Sequence, residues 1–456
     1  MSGFDLDVLV IGGGGSGGFT AATTAMKNRA RVGMVEAGRL GGLCILAGCM
    51  PSKALLHSAE EVAARGGDGR AVYPQVHRYT REVVDYLAGS RVKAVNAKQK
   101  KGLELFRGRA RFVDPHTVEA DGRRITAKSI VIATGSVEQV PGVPGLADSG
   151  YLTSDGFMRL EKLPASLIVL GGGAQAVELA QFSARMGVKT TIIQRSGHLV
   201  SSEDPRVGGI IAEALAADGA EVLTGSAVKR VERTPEGVRV EFEHQGRLRQ
   251  AGAEALLLCL GRRANTGGLN LEAAGVALGG RGQVQVDRFM RTSVEHIFAA
   301  GDVTGGPMLV TLAIQQGRAA GHNASSDQPR EVEDQVLPRA IFTDPQFARV
   351  GLNHAEAQAA GLDFVEADYD LGGMGAARTY PQGVKGFMTM RAGRRGGRII
   401  GAELVAPQAS LMIHDMAVAL KLGGTAADIA AIPYIHPCLA EISEFAAGSL
   451  ARLVES

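Results

Sequence analysis

The chain is poor in cysteine, in unbalanced charge and in long apolar runs, and each shortage excludes something. Four cysteines in 456 residues cannot build the disulfide framework of a small secreted scaffold. Lys and Arg total 49 against 47 Asp and Glu, a formal charge of +2, so no charge field draws the chain to nucleic acid or a membrane surface. The longest early apolar run, Val8 to Ile11, follows Asp5 and Asp7 and gives way to glycines. It reads as a short buried strand, not as a signal peptide or a membrane span. No targeting segment is read, so the cytoplasm is the expected compartment. No metal-ligand cluster is read either. Arg394, Arg395 and Arg398 read as a solvated hairpin turn.

What is present points to redox chemistry. Cys44 and Cys49 lie in Gly41-Gly42-Leu43-Cys44-Ile45-Leu46-Ala47-Gly48-Cys49-Met50-Pro51-Ser52-Lys53. A disulfide needs its Cα atoms within roughly 7 Å. Five residues of regular helix rise about 7.5 Å. An ideal helix therefore cannot bridge the pair. The segment is expected to be a distorted first turn, or a loop entering a helix, with Pro51 near the helix start. A thiol reacts as thiolate, and a helix start with Lys53 one turn on lowers its pKa.

Two dinucleotide units follow from the glycines, of which there are 62. Asp7 to Ile11 is a buried strand, Gly12-x-Gly14-x-x-Gly17 follows, Gly18 to Arg29 reads as a helix, and Arg31 to Glu36 as the next strand. An acid at that distance accepts ribose hydroxyls while a pyrophosphate sits at the helix start. The unit recurs as a strand from Ala165 to Leu170, Gly171-x-Gly173-x-x-Ala176 opening a helix with Glu178, and a strand from Lys189 to Gln194. Two units imply two nucleotides with electron transfer between them. Ile130 to Gly135 and His296 to Val303 each read as a strand ending in a glycine turn, the second carrying Asp302. From about Leu337 onward strands and helices alternate without a phosphate loop. Gly386 to Met390 and Ile399 to Ala402 read as strands, Gln408 to Leu422 as a helix, and Asn323 to Pro329 as the linker into this part.

These residues together resemble the FAD-dependent pyridine nucleotide–disulfide oxidoreductases, the family of dihydrolipoamide dehydrogenase, glutathione reductase and mercuric reductase. The motifs in family order are the first fingerprint, Cys44-x4-Cys49-x-Pro51-Ser52-Lys53, Ala133-Thr134-Gly135, the second fingerprint, Gly301-Asp302, and His436-Pro437 with Glu441. The resemblance implies an α/β chain of two doubly wound dinucleotide-binding domains plus a C-terminal α+β dimerisation domain. Its expected bounds are 1–150 and 276–335 for the FAD-binding part, 151–275 for the NAD(P)-binding domain and 336–456 for the dimerisation domain. It places FAD on Gly12, Gly14, Gly17 and Glu36 with Asp302 on its ribityl chain, and NAD(P)H on Gly171 and Gly173. Ala110, Thr134, Gly135 and Gly261 complete the implied cofactor contacts. Cys49 becomes the flavin-side thiol and Cys44 the interchange thiol. Lys53 lies near the flavin and pairs with Glu178. In a homodimer His436, oriented by Glu441, reaches the other subunit's Cys44.

The chain also departs from the family pattern. Gln194 and Arg195 stand where NADH-using relatives carry an acid, which favours NADPH over NADH. Ser201 replaces a second arginine often found in NADPH users. Leu46 replaces a usual asparagine between the cysteines, and Cys438 and Ala440 replace hydroxyl residues after His436. Cys438 reads as a packing substitute and Cys259 as a buried strand thiol. His57, His77, His116, His322 and His414 read as structural or exposed. Thr23 stands where glutathione reductases place a substrate-binding arginine. The chain's last residues, Ala451 to Ser456, hold no cysteine pair, and no N-terminal metal-binding domain is read; both count against mercuric reductase. The expected activity is dihydrolipoamide dehydrogenase-like exchange between NAD(P)H and a small dithiol or disulfide. The alternatives are reduction of another small disulfide, of a metal or quinone, or a flavin-binding redox sensor.

Overall fold

Aliphatic runs bounded by glycine turns lay down two parallel sheets in one chain. The computed structural model describes residues 3–332 and 336–455. Leu6–Ile11 (β1) is buried along nearly its whole length and leads through the glycine turn into Ser16–Lys27 (α1). Val32–Glu36 (β2) returns parallel to β1. Gly42–Ala47 (α2), Cys49–Arg65 (α3) and Gly69–Gln99 (α4) follow. The 31-residue α4 has no counterpart in the sequence reading; Asp68 caps its start by accepting from the backbone of Arg70 and Ala71. Strands Glu104–Arg107 and Arg123–Ile132 flank β2 and β1 in parallel, and Ile297–Ala299 joins Arg123–Ile132. The helix Val310–Asn323 lies directly on α1. A side-chain carbon at Gly317 would meet the Gly17 carbonyl at 2.3 Å, so the two backbones touch.

The second unit repeats the plan. Its parallel sheet runs in the order Glu221–Leu223, Lys189–Ile193, Ser166–Leu170, Ala255–Leu258 and Leu152–Thr153, with the helix Ala174–Arg185 after the glycine turn. Cys259 is buried, but it lies one residue beyond its strand. The units are joined by a two-stranded ribbon, Ser136–Glu138 against Arg262–Ala264. The C-terminal part is a five-stranded antiparallel sheet with helices packed on it, the α+β module expected. Buried charge ties it to the second unit: Arg349, 1% exposed, holds Glu203 at 3.2 Å and Glu356 at 2.8 Å.

One local reading is corrected. The helix expected over Gln408 to Leu422 is two pieces, Ala409–Met412 and His414–Leu422, and Gln408 has a φ of 57°, which no right-handed helix accommodates. The stretch expected as the linker, Asn323 to Pro329, follows the helix Val310–Asn323 and is anchored by hydrogen bonds. Asn323 ends a helix, its amide donates to the Phe289 and Arg330 carbonyls, and the Gln328 carbonyl meets the His322 ring. The expected boundary at 335/336 abuts residues 333–335, which lie outside the described residues. Among the described residues no helix is long and apolar enough to cross a membrane.

Candidate active site

The thiol pair sits at a helix break. Cys44 is in α2, and Cys49 opens α3. Gly48 between them has φ −139° and ψ −119°, outside helical space. The expected distortion is therefore one residue wide, with helix on both sides of it. Both cysteines are free thiols in this structure. The Cys44 thiol donates to Cys49, and this hydrogen bond, with the Lys53 ammonium, pulls Cys49 down to about 6 against the opposing effect of burial. Cys44 moves upward, as the donor of that bond and through burial. Near neutral pH the reduced pair thus holds one thiolate, on Cys49.

Lys53 lies one turn along α3, on the same face as Cys49. Its ammonium pairs with Glu178 at 2.7 Å and lies 4.3 Å from the Phe342 ring centre. The other Glu178 oxygen accepts from the Phe342 backbone at 2.9 Å. First unit, second unit and C-terminal module therefore meet at one ion pair. A cleft of about 950 Å³ opens beside it, lined among others by Lys53, His57, Gln181, Arg185 and Cys438. His57, read as structural or exposed, is thus at the edge of this site, whereas His322 is buried and His116 stacks on His296 at 3.8 Å.

The cofactor residues are placed as follows. Gly12 turns with φ 85° beneath Ala133, whose carbonyl would lie 2.4 Å from any side-chain carbon. Glu36 accepts from the backbone of Gly14 at 2.8 Å and of Gly38 at 3.0 Å. Gly17 faces the helix Val310–Asn323. Asp302 accepts from Ser136 at 2.7 Å. Thr134 donates to the Asn265 carbonyl at 2.7 Å and so braces the inter-unit ribbon, with Gly135 next to it in left-handed φ. Ala110 is buried in a strand paired with Ala120, which leaves only its backbone for a ligand. In the second unit Gly171 turns beneath the Cys259 carbonyl, Gly173 and Gly261 have open space where a side chain would be, and Arg195 is exposed. Arg195 makes no ion pair among the described residues.

Both glycine loops fit a dinucleotide. Each fingerprint helix starts at a glycine, Gly15 or Gly173, with no side-chain cap and no acid in its first turn. Its leading N–H groups are thereby left to an outside acceptor such as a pyrophosphate.

His436 and Glu441 also come together. His436 Nδ1 lies 2.8 Å from one Glu441 oxygen, and the other accepts from the Cys438 backbone at 2.8 Å. The hydrogen bond from His436 is the main cause holding Glu441 below the ordinary carboxylate range. With the carboxylate accepting, Nδ1 carries the proton and Nε2 is free to act as a base. The His436 side chain is 78% exposed, so within one subunit it faces outward.

Sequence reasoning missed two groups. Arg262 donates to Ser136 and Glu138, with Asp155 3.8 Å away, so the ribbon is clamped by an ion cluster beneath Asp302. Burial and the neighbouring Glu138 push Asp155 up to about 6. Arg91 on α4 stacks on Phe19 at 4.4 Å. Partial burial lowers Arg91 and the nearby Cys44 raises it, with the lowering dominant. Neither group has a motif; only the fold assembles them.

Comparison with known proteins identifies the family. Residues 6–317 match the model of the pyridine nucleotide-disulphide oxidoreductases, and residues 337–447 match the dimerisation domain of the same family. A mercuric reductase of Bacillus cereus is 35% identical over 433 residues, covering 93% of this chain and 68% of that protein. A dihydrolipoyl dehydrogenase of Geobacillus stearothermophilus is 34% identical over 457 residues, covering 97% of this chain and 96% of that protein. A solved Cu(II) complex of the HOCl-induced flavoprotein disulfide reductase RclA from Escherichia coli superposes with a TM-score of 0.87 at 27% identity, covering 99% of this chain and 100% of that one. The chain therefore belongs to the pyridine nucleotide-disulphide oxidoreductases and is an oxidoreductase that uses FAD and a pyridine nucleotide.

Proposed function

We propose that this enzyme carries an electron pair between NADPH and a small disulfide through Cys49 and Cys44, with lipoamide-like dithiols as the leading substrate class. The observation that carries the reading is the thiol pair across the Gly48 break, with Cys49 drawn down to about 6 beside the Lys53–Glu178 pair. When bound, FAD supplies the two-electron link between the nicotinamide and the thiols. The residues of the chain do the rest. Lys53 holds the Cys49 thiolate and anchors α3 to the second unit. Cys44, once deprotonated, attacks the substrate disulfide; a Cys44–substrate disulfide forms and one substrate thiolate leaves. Cys49 then attacks Cys44, the internal disulfide re-forms, and the second thiolate leaves. His436 Nε2 takes the Cys44 proton and returns a proton to a departing thiolate, and solvent supplies the other. The net change is one NADPH and one proton consumed for two thiols. The reverse direction oxidises a dithiol.

His436 acts on Cys44 of the partner subunit in a homodimer. Its outward exposure supports this, as does Ile435, 80% exposed beside it in the part that matches a dimerisation domain. The exposed Arg195 guanidinium, with glutamine instead of an acid before it, supports the preference for a 2′-phosphate. A dithiol that must be reduced to work suits the cytoplasm.

Two adjacent free thiols are also a soft-metal ligand pair, so the relative named for mercury and the neighbour solved as a Cu(II) complex support metal reduction as a second reading. His436→Gln separates the two: disulfide turnover falls if a thiol base is needed, and metal or quinone turnover persists if it is not. The primary test is anaerobic titration with NADPH and, separately, NADH. Long-wavelength absorbance from a thiolate against oxidised flavin is expected, faster with NADPH. Bleaching of the flavin without that band would uncouple the thiols from it and remove the reading.

A further inference from the structure

Cys44 has a cationic neighbour that the mechanism above leaves unused. Three elements converge on it. The Gly42 turn that opens α2 lies against Gly15 at the start of α1, where a side-chain carbon at Gly42 would meet the Gly15 Cα at 2.5 Å. Helix α4 packs on α2 from the other side. Phe19 of α1 and Arg91 of α4 meet in this corner, the guanidinium 4.4 Å from the ring centre.

Arg91 is half-buried, and among the described residues it has no carboxylate partner and no side-chain hydrogen bond. Arg291 is likewise without an ion pair among the described residues, whereas Arg185 pairs with Asp218, Arg262 with Glu138, Arg349 with Glu356 and Arg391 with Glu403. A partly desolvated guanidinium with its donors free of protein partners can take an anion. The α1 surface beside it adds no rival charge: Thr20 and Thr23 are neutral, and the Thr23 hydroxyl is spent on the Thr20 carbonyl. Stacking on Phe19 leaves the N–H edge of the guanidinium available to a ligand. Cys44, the interchange thiol of the proposed function, lies on α2, the helix that α4 packs against.

We propose that Arg91 is a substrate-specificity residue: the disulfide reduced at Cys44 carries a carboxylate near its S–S bond, and Arg91 pairs with it. The proposal rests on the disulfide-reductase reading but replaces its uncharged lipoamide-like substrate class with an anionic disulfide. An apolar dithiolane amide would then be reduced more slowly than an acid of the same size.

The test uses a matched pair, 2,2′-dithiodiglycolate and its uncharged diamide, reduced by the FAD-loaded enzyme with NADPH. The wild type is expected to favour the dianion. In Arg91→Gln the ratio of kcat/KM values, dianion over diamide, falls roughly tenfold or more, mainly through KM. Arg91→Lys keeps part of the preference, because it retains the charge without the planar fork. Flavin reduction by NADPH alone, which needs no disulfide, reports that each variant is folded. An unchanged ratio in Arg91→Gln, or equal losses on both disulfides, would overturn the specificity role and leave the disulfide reductase standing. A wild type that reduces neither disulfide while its flavin is reduced rapidly would sink the disulfide reading and this proposal with it.

Discussion

The two dinucleotide units share a plan and part company at the sugar end. In each, a glycine in left-handed conformation passes beneath a neighbouring carbonyl, Gly12 under Ala133 and Gly171 under Cys259. In the first unit Glu36 then closes the loop with two backbone hydrogen bonds. In the second, the side chain at the matching position is Gln194, near the place a Gly172 side chain would take, and the charge beside it is the exposed Arg195. The first loop is ordered by its own carboxylate before any ligand arrives. The second leaves its sugar end to a solvated cation. That difference suits a resident nucleotide in the first unit and an exchanging one in the second.

The largest effect expected is at the glycine turns. Gly12→Ala places a methyl 2.4 Å from the Ala133 oxygen at positive φ, and about 3 kcal/mol or more of stability should be lost together with flavin content. Gly173→Ala meets nothing within 4 Å, so flavin content and melting temperature should hold while the KM for the nicotinamide nucleotide rises. Equal damage from both would break the comparison. Glu36→Gln comes next. Exchanging a charged acceptor for a neutral one should weaken FAD retention by about 1.5–3 kcal/mol, read by dialysis and flavin fluorescence, with nicotinamide KM little changed.

A subtler experiment probes the place where the units touch. Lys53→Met removes the cation that helps hold the Cys49 thiolate. In the native enzyme the thiolate is present above a pH of about 6 and is lost as pH falls through it. In the variant that midpoint should move upward in a spectroscopic pH titration of the reduced enzyme; an unmoved midpoint would deny Lys53 its electrostatic role. Arg195→Ala should raise the NADPH KM roughly tenfold, about 1.4 kcal/mol, and the NADH KM much less. Equal effects on both would remove the argument for NADPH. The smallest effect belongs to Cys438→Ser, which should leave disulfide turnover unchanged if Cys438 only packs.

Legibility in the sequence followed the range of the interaction. The glycine loops were readable because backbone approach to a carbonyl or a phosphate demands glycine within a few residues. The break at the thiol pair was readable because helix rise forbids the bridge. His436 and Glu441 were readable because five residues separate them. Helix α4 passed unread since its buried positions, Tyr73, Val76, Thr80, Ala88 and Val95, mix aromatic, polar and small residues. The helix over Gln408 to Leu422 was over-read because neither the left-handed Gln408 before its start nor the break at Ile413 leaves a mark on apolar periodicity.

Spacing and residue type therefore marked the two glycine loops and the thiol pair, and with the family resemblance the histidine–carboxylate pair and the order of the domains. These depend on local geometry, which sequence distance encodes. The Lys53–Glu178 pair across the units was reached through the family resemblance; only the tertiary structure decided that Arg262 clamps the ribbon beneath Asp302, and that Arg91 stacks on Phe19 with no carboxylate partner among the described residues. Arg262 lies 126 positions from Ser136 and Arg91 lies 72 from Phe19, and a sequence does not say which buried charge will find a partner and which will be left for a ligand.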